Sequence, residues 1–242
     1  MTNQAFSGLG ASVICGTTIY GEILNVPEVM ATLNKIDTTT HNNVSAVKTS
    51  RPGFIENGEI SIDMLYYAGT EQDAIMTMFY AKTVSVWTIV APMKLGRAWA
   101  FSGYVSGCST PRFDKEGNCQ MTFKVQPTGI ITPLSTALTG VTDIDVTDQG
   151  TTSLTLSPTF AATTYGYQVT TDLADTGVKV TLTYAGSGEA AYVANSSLAT
   201  ATPSSAITLG TSAGDVIMIP VVVFKTACVP KITWIEVTHG YV

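Results

Sequence analysis

Charge is what this sequence has least of. Only 12% of its 242 residues are Asp, Glu, Lys or Arg, about half the usual globular share. A solitary chain relies on charged surface to stay in solution. So little charge on a chain that is 45% hydrophobic therefore implies extensive burial against other protein. The 12 basic residues are outnumbered by 18 acidic ones, for a net charge of −6. They are scattered singly, without the basic, aromatic-studded stripe that grips single strands, and tight nucleic-acid binding is disfavoured. Histidine is nearly absent. His41 and His239 are the two present, and neither has an evident orienting carboxylate and nucleophile to make it catalytic. Both read as surface residues.

Long apolar runs are missing as well. The longest, residues 216–224, spans nine residues and contains Pro220. That is too short for a helix across a bilayer, although mean hydropathy is +0.26; no membrane partner is expected. The opening MTNQAFSGLG has no basic residue and no apolar core, so no secretory signal is expected. Four cysteines (Cys15, Cys108, Cys119, Cys228) are too dispersed for a C-x₂-C zinc site. Without secretion they are expected to be four buried thiols, although Cys108 and Cys119 flank a turn across which they could face one another.

Motifs for catalysis are equally thin. Gly186-Ser187-Gly188-Glu189-Ala190-Ala191 has the outline of a dinucleotide fingerprint but no helical pattern after it, and reads as a β-turn. Ser45-Ala46-Val47-Lys48 lacks the companion motifs of a serine acyl-enzyme. Asp143, Asp145 and Asp148 do not follow EF-hand spacing and read as a solvated turn. The sequons at Asn43 and Asn195 carry no weight without secretion. No catalytic, cofactor-binding or metal-binding residue is assigned, and the chain is not expected to be an enzyme.

What is present is β-structure in two compositional halves. Residues 1–130 hold 9 basic and 10 acidic residues; residues 131–242 hold 3 and 8, with 23 threonines. Between them runs Gln126-Pro127-Thr128-Gly129-Ile130-Ile131-Thr132-Pro133, whose Pro, Gly and Thr content suits a linker. Two domains are expected, 1–130 and 131–242, the second large enough to bury its own core and fold alone. In the first, alternation predicts strands over 59–64, 84–90, 98–105 and 119–125. A capping box at Thr70 and Asp73 opens a helix ending near residue 82, with Ala74, Ile75, Met78 and Phe79 on one face. The polar stretch 37–58 is too long for an ordinary loop and reads as an arm or extended hairpin. In the second, eight short strands over 142–146, 153–156, 165–171, 178–184, 190–193, 207–209, 216–224 and 231–238 predict an immunoglobulin-like sandwich. Trp87, Trp99 and Trp234 lie in strand patterns and read as core.

Several of these segments together resemble the major tail tube proteins of long-tailed, siphovirus-type bacteriophages. They are Ile36-Asp37-Thr38-Thr39-Thr40, the strand entry Phe54-Ile55-Glu56-Asn57-Gly58-Glu59-Ile60-Ser61-Ile62 and the helix over 71–81. Trp87-Thr88-Ile89, Phe101-Ser102-Gly103-Tyr104-Val105 and Thr122-Phe123-Lys124-Val125 before Pro127-Thr128-Gly129 follow. The likeness covers residues 20–130; Met1–Tyr20 is less similar. The second half resembles the immunoglobulin-like or cadherin-like modules appended to such proteins.

The resemblance implies a mainly β fold: a tail-tube β-sandwich or barrel with one flanking α-helix, followed by an immunoglobulin-like β-sandwich. It implies a structural protein of the virion tail, made in the bacterial host cytoplasm. The subunit would close into homohexameric rings that stack into a tube and conduct DNA during ejection. Partners would be further copies, the tail tip, terminator and tape-measure proteins, and transiently passing DNA. No cofactor is implied, and the second domain would decorate the outside. The alternative is a two-domain β-rich adhesin or receptor-binding module.

Overall fold

The structure is a computed structural model that describes residues 11–20, 23–25, 29–39, 47–66, 70–92, 96–113, 119–138, 141–184 and 188–240. The fold is mainly β, with a single helix among the described residues. In chain order the elements are β1 (Ser12–Cys15), β2 (Thr18–Tyr20), β3 (Ile23–Asn25), β4 (Ala31–Asp37), β5 (Ser50–Asn57), β6 (Ile60–Leu65), α1 (Thr70–Ala81), β7 (Val84–Val90), β8 (Ala98–Cys108), β9 (Arg112–Phe113), β10 (Cys119–Pro127) and β11 (Thr132–Leu134). There follow β12 (Thr136–Ala137), β13 (Val141–Asp148), β14 (Ser153–Leu154), β15 (Gly166–Thr171), β16 (Gly177–Tyr184), β17 (Glu189–Val193), β18 (Ser196–Leu198), β19 (Ile207–Thr208), β20 (Val216–Lys225), β21 (Cys228–Val229) and β22 (Lys231–His239).

The chain forms two compact units. One comprises Gly21–Trp87 and Phe101–Thr132; the other comprises Met1–Tyr20, Thr88–Ala100 and Pro133–Val242. Strands β7 and β8 each run through both.

The helix-bearing unit is built on β8, β10, β6 and β3 in that order. Alternation decides what each strand buries. Ile60, Ile62 and Met64 of β6 sit opposite Val125, Phe123 and Met121 of β10, and all six are buried. Trp87 packs on Phe123 with ring centroids 5.9 Å apart and donates its indole N–H to the Gly103 carbonyl at 3.2 Å. That bond satisfies the one polar group a buried tryptophan carries. Ile75 of α1 is fully buried. The helix ends in a Schellman motif: Thr83 N–H donates to Met78 O and Lys82 N–H to Phe79 O. Lys82 occupies the left-handed position at φ +53°, where glycine is the usual residue. At the other end Asp73 accepts the Tyr66 hydroxyl at 3.0 Å, and this bond holds the Tyr66 phenol above its ordinary pKa.

The opposite face of this sheet is polar. Glu59 accepts Lys124 Nζ at 2.8 Å and Ser106 Oγ at 2.6 Å, and Asp63 accepts Thr122 Oγ1 at 2.6 Å. Segment 126–132 is no free linker. Thr128 N–H donates to Ser102 O at 2.8 Å, Asn57 Nδ2 to Gly129 O at 2.6 Å, Gln126 Nε2 to Asn57 O at 3.0 Å, and β11 pairs with β8. Nor do Cys108 and Cys119 face one another. Cys108 lies opposite Phe123 and Cys119 opposite Phe113, because β10 pairs first with β9 and only then with β8.

In the other unit two sheets enclose a core. One is β14-β13-β16-β19; the second is β15-β22-β20-β17-β18, in which β15 and β22 are parallel. Inward-facing Val146, Val178, Val180, Leu182, Ile219, Val221, Ile235 and Val237 fill it around the fully buried Tyr167. The Tyr167 hydroxyl donates to Ala161 O at 2.8 Å and accepts Ala161 N–H at 3.1 Å. A second cluster joins Ile14, Ile19, Val90 and Ala98 to Val222, Val229 and Ile232. It is reinforced by Ile19 N–H donating to Asn195 Oδ1 at 3.0 Å. Asn195 reaches it from the two-residue turn between β17 and β18, where Ala194 and Asn195 both have positive φ, a type I′ turn.

Candidate assembly surface

Strands β4 and β5 form a two-stranded antiparallel sheet of their own. The expected arm over 37–58 is this hairpin, beginning six residues earlier; residues 40–46 lie outside the described part. Every β4 residue is exposed. Leu33 faces Ile55 across the pair, and both are exposed, as are Met30, Ile36 and Phe54, the last at 82%. The register shifts between Leu33 and Lys35. Gly53 lies beside this bulge, where a Cβ would stand 2.9 Å from the Asn34 carbonyl oxygen, so the two strands close only because that position has no side chain.

Side-chain bonds stiffen the ribbon: Asn34 Nδ2 donates to Glu56 Oε1 at 2.6 Å, and Thr39 N–H to Asp37 Oδ1 at 2.8 Å. The Thr39 bonds hold the Asp37 carboxyl below its ordinary range. Among the described residues Lys124–Glu59 is the one ion pair, and Lys35 and Arg51, one on each strand of the ribbon, make none.

At the hairpin base lies a groove of about 550 Å³ lined by Ala31, Ile55, Glu56, Gln126, Ile130 and Ile131 among others. Ile130 is 84% exposed, although its segment is pinned by the hydrogen bonds of Asn57, Thr128 and Gln126.

The residues weighed for chemistry do not converge. His41 lies outside the described residues. His239 is buried at 3% exposure, not on the surface; it ends β22 opposite Thr171 of β15, so alternation turns it into the sandwich. Asp148 accepts Thr152 N–H at 2.7 Å, which lowers its pKa, and Asp145 accepts Ser153 Oγ at 2.6 Å. The trio is therefore not the turn expected, because Asp143 and Asp145 stand within β13 opposite Thr183 and Thr181, and only Asp148, at the end of that strand, shapes the turn that follows. Among the described residues no three His, Cys, Asp or Glu side chains cluster to hold a metal. Residues 45–46 and 186–187 lie outside the described part, and Glu189-Ala190-Ala191 is strand, not helix. No disulfide joins the cysteines. Cys15 is buried, while the other three are only half-buried, and partial burial raises the Cys108 pKa.

The chain therefore has a mainly β fold with a projecting hairpin and no assembled catalytic constellation among its described residues. No protein-family model matches it, and no curated protein matches it. Among solved structures it is similar to a chain of the virion of a native gene transfer agent particle, at 8% identity over 52% of this chain and 95% of that one, TM-score 0.43. It is also similar to a chain of the anti-feeding prophage tube-terminating cap, at 11% identity over 53% and 89%, TM-score 0.44. A third is a chain of the sheath-tube complex of an extracellular contractile injection system, at 12% identity over 53% and 90%, TM-score 0.43. At such scores the likeness carries no weight for function.

Proposed function

We propose that this chain is the structural subunit of a phage tail tube. Subunits close into hexameric rings, the rings stack, and the lumen conducts DNA during ejection. The subunit performs no catalysis, resides in the virion tail after synthesis in the host cytoplasm, and meets tail-tip, terminator and tape-measure proteins.

The observation that carries this reading is the β4–β5 hairpin. A solitary two-stranded sheet is marginally stable in water, and this one exposes apolar side chains along both strands. Its open edges are pairing templates, and copies of the same chain in a closed ring offer one repeated heterologous interface to cover them. The low charge content supports the same reading.

Residues 131–242 are read as an immunoglobulin-like decoration outside the tube wall. The sheet orders β14-β13-β16-β19 and β15-β22-β20-β17-β18 support this reading, in which β13, β16 and β19 stand for A, B and E and β15, β22, β20 and β17 for A′, G, F and C.

Negative-stain microscopy and sedimentation of the concentrated protein, with and without a tail-tip initiator, test the proposal. Rings or tubes are the expected result. A chain that stays monomeric at every salt concentration, and never polymerises with an initiator present, refutes it.

A further inference from the structure

The two ends of strand β10 carry complementary features. At its start, β9 pairs with β10 so that Phe113 lies opposite Cys119 and Arg112 opposite Gln120. Phe113 is 80% exposed, Arg112 is exposed, and Arg112 has no ion pair among the described residues. At the other end the chain runs from Gln126 into the groove lined by Ile55, Glu56, Ile130 and Ile131. Eight residue steps at about 3.4 Å each separate these ends by about 27 Å, so Phe113 cannot reach the groove of its own chain.

The groove is preorganised. The Asn57, Thr128 and Gln126 hydrogen bonds fix its wall, so little ordering remains to be done when it is filled. It presents an exposed isoleucine beside a carboxylate. Glu56 Oε1 accepts from Asn34, and Oε2 has no hydrogen-bond partner among the described residues. A strand that carries an aromatic ring and, on the neighbouring residue and opposite face, a guanidinium complements Ile55 and Glu56, which are likewise consecutive on β5, and aromatic residues and Arg are enriched at interfaces.

We infer that this groove receives Phe113 and Arg112 of a second copy of the chain, the ring against Ile55 and Ile130 and the guanidinium against Glu56. With donor and socket at opposite ends of one strand, a copy that gives its donor to one neighbour and its socket to another makes a heterologous contact that repeats head to tail, as a ring requires. The inference deepens the tube reading by naming the residues through which one subunit engages the next.

The test uses the full-length chain in sedimentation velocity and negative-stain microscopy. Phe113→Ala and Ile130→Asp are each expected to weaken association at least ~10-fold, the loss seen when an interface anchor is truncated. Both sites are exposed, so far-UV circular dichroism should be unchanged. Arg112→Glu alone is expected to weaken association, and Arg112→Glu with Glu56→Arg to recover it. A wild type that polymerises and is indifferent to Phe113→Ala and Ile130→Asp overturns this inference and leaves the tube reading standing. A wild type that never associates overturns both.

Discussion

A chain ending at Ile131 should not be a folded, self-sufficient subunit, although composition suggests a boundary there. The cluster of Ile14, Ile19, Val90 and Ala98 is completed by Val222, Val229 and Ile232, and truncation removes all three of the latter. Burying an Ile or Val side chain is worth about 1.5–3 kcal/mol. Exposing Ile14, Ile19 and Val90 therefore costs at most about 5–9 kcal/mol, an upper bound because the denatured chain is itself partly collapsed. The Asn195–Ile19 hydrogen bond adds about 1 kcal/mol. Whole domains are stable by only about 5–15 kcal/mol, so the loss is comparable to the total. The assay is amide hydrogen exchange over residues 12–20 and 88–100, with ANS binding and a urea melt alongside. The truncated chain should lose protection over both segments, bind dye and melt at lower urea. Protection equal to that of the full chain, with no added dye binding, would refute the reasoning and show that β1 and β2 are held by β7 alone.

Three further outcomes are expected. Lys82→Gly should raise stability by ~0.5–1 kcal/mol in chemical denaturation, because the Schellman position at φ +53° suits glycine and strains any side chain. Asn195→Ala should cost ~2 kcal/mol, combining a left-handed backbone on alanine with the lost bond to Ile19; Asn195→Gly should recover the backbone part in the same melt. The Glu59 carboxyl has its pKa lowered by hydrogen bonds from Lys124 and Ser106. Its contribution is therefore fully present above the unfolded value of about 4.3 and is lost as pH falls through the lower folded value. Acid titration of wild type against Glu59→Gln should show wild type the more stable above that pH, only weakly since the pair is exposed, and the two curves should converge as pH falls below it.

The fold is legible wherever a strand has one wet face and one dry face. Residues 60–65, 84–90, 98–108 and 119–127 alternate because the sheet buries every second side chain, and the sequence shows that period. The helix at 70–81 is legible from its apolar face. The first five strands are harder to see. β1 to β3 have three or four residues each, too few to establish a period. Every residue of β4 is exposed, so no burial pattern exists there to be written into the sequence, and length and polarity alone point to a projecting element. The groove joins residues 55–57 to 126–131, and no local signal encodes such a pairing. His239 escapes because a lone histidine near the C-terminus resembles a surface residue. The alternation of Ile235 and Val237, carried two residues further, is the signal that places it inside. The acidic trio misleads as a turn, because Asp143 and Asp145 are the wet positions of β13, alternating with buried Ile144 and Val146, and only Asp148 reaches the turn.

The cluster that joins Ile19 to the turn at Asn195 also sets a timetable. These two residues are 176 positions apart, and a ribosome adding about 5–20 residues per second needs roughly 9–35 s to go from one to the other. During that interval β1 and β2 exist without Val222, Val229 and Ile232, while the β4–β5 ribbon has already been synthesised. Interactions so distant in sequence slow folding, so β1 and β2, made before the ribbon, become native among the last. A growing chain therefore passes through a period in which its adhesive ribbon is present and its closing cluster is not, a window in which crowding of nascent chains on one messenger favours premature association.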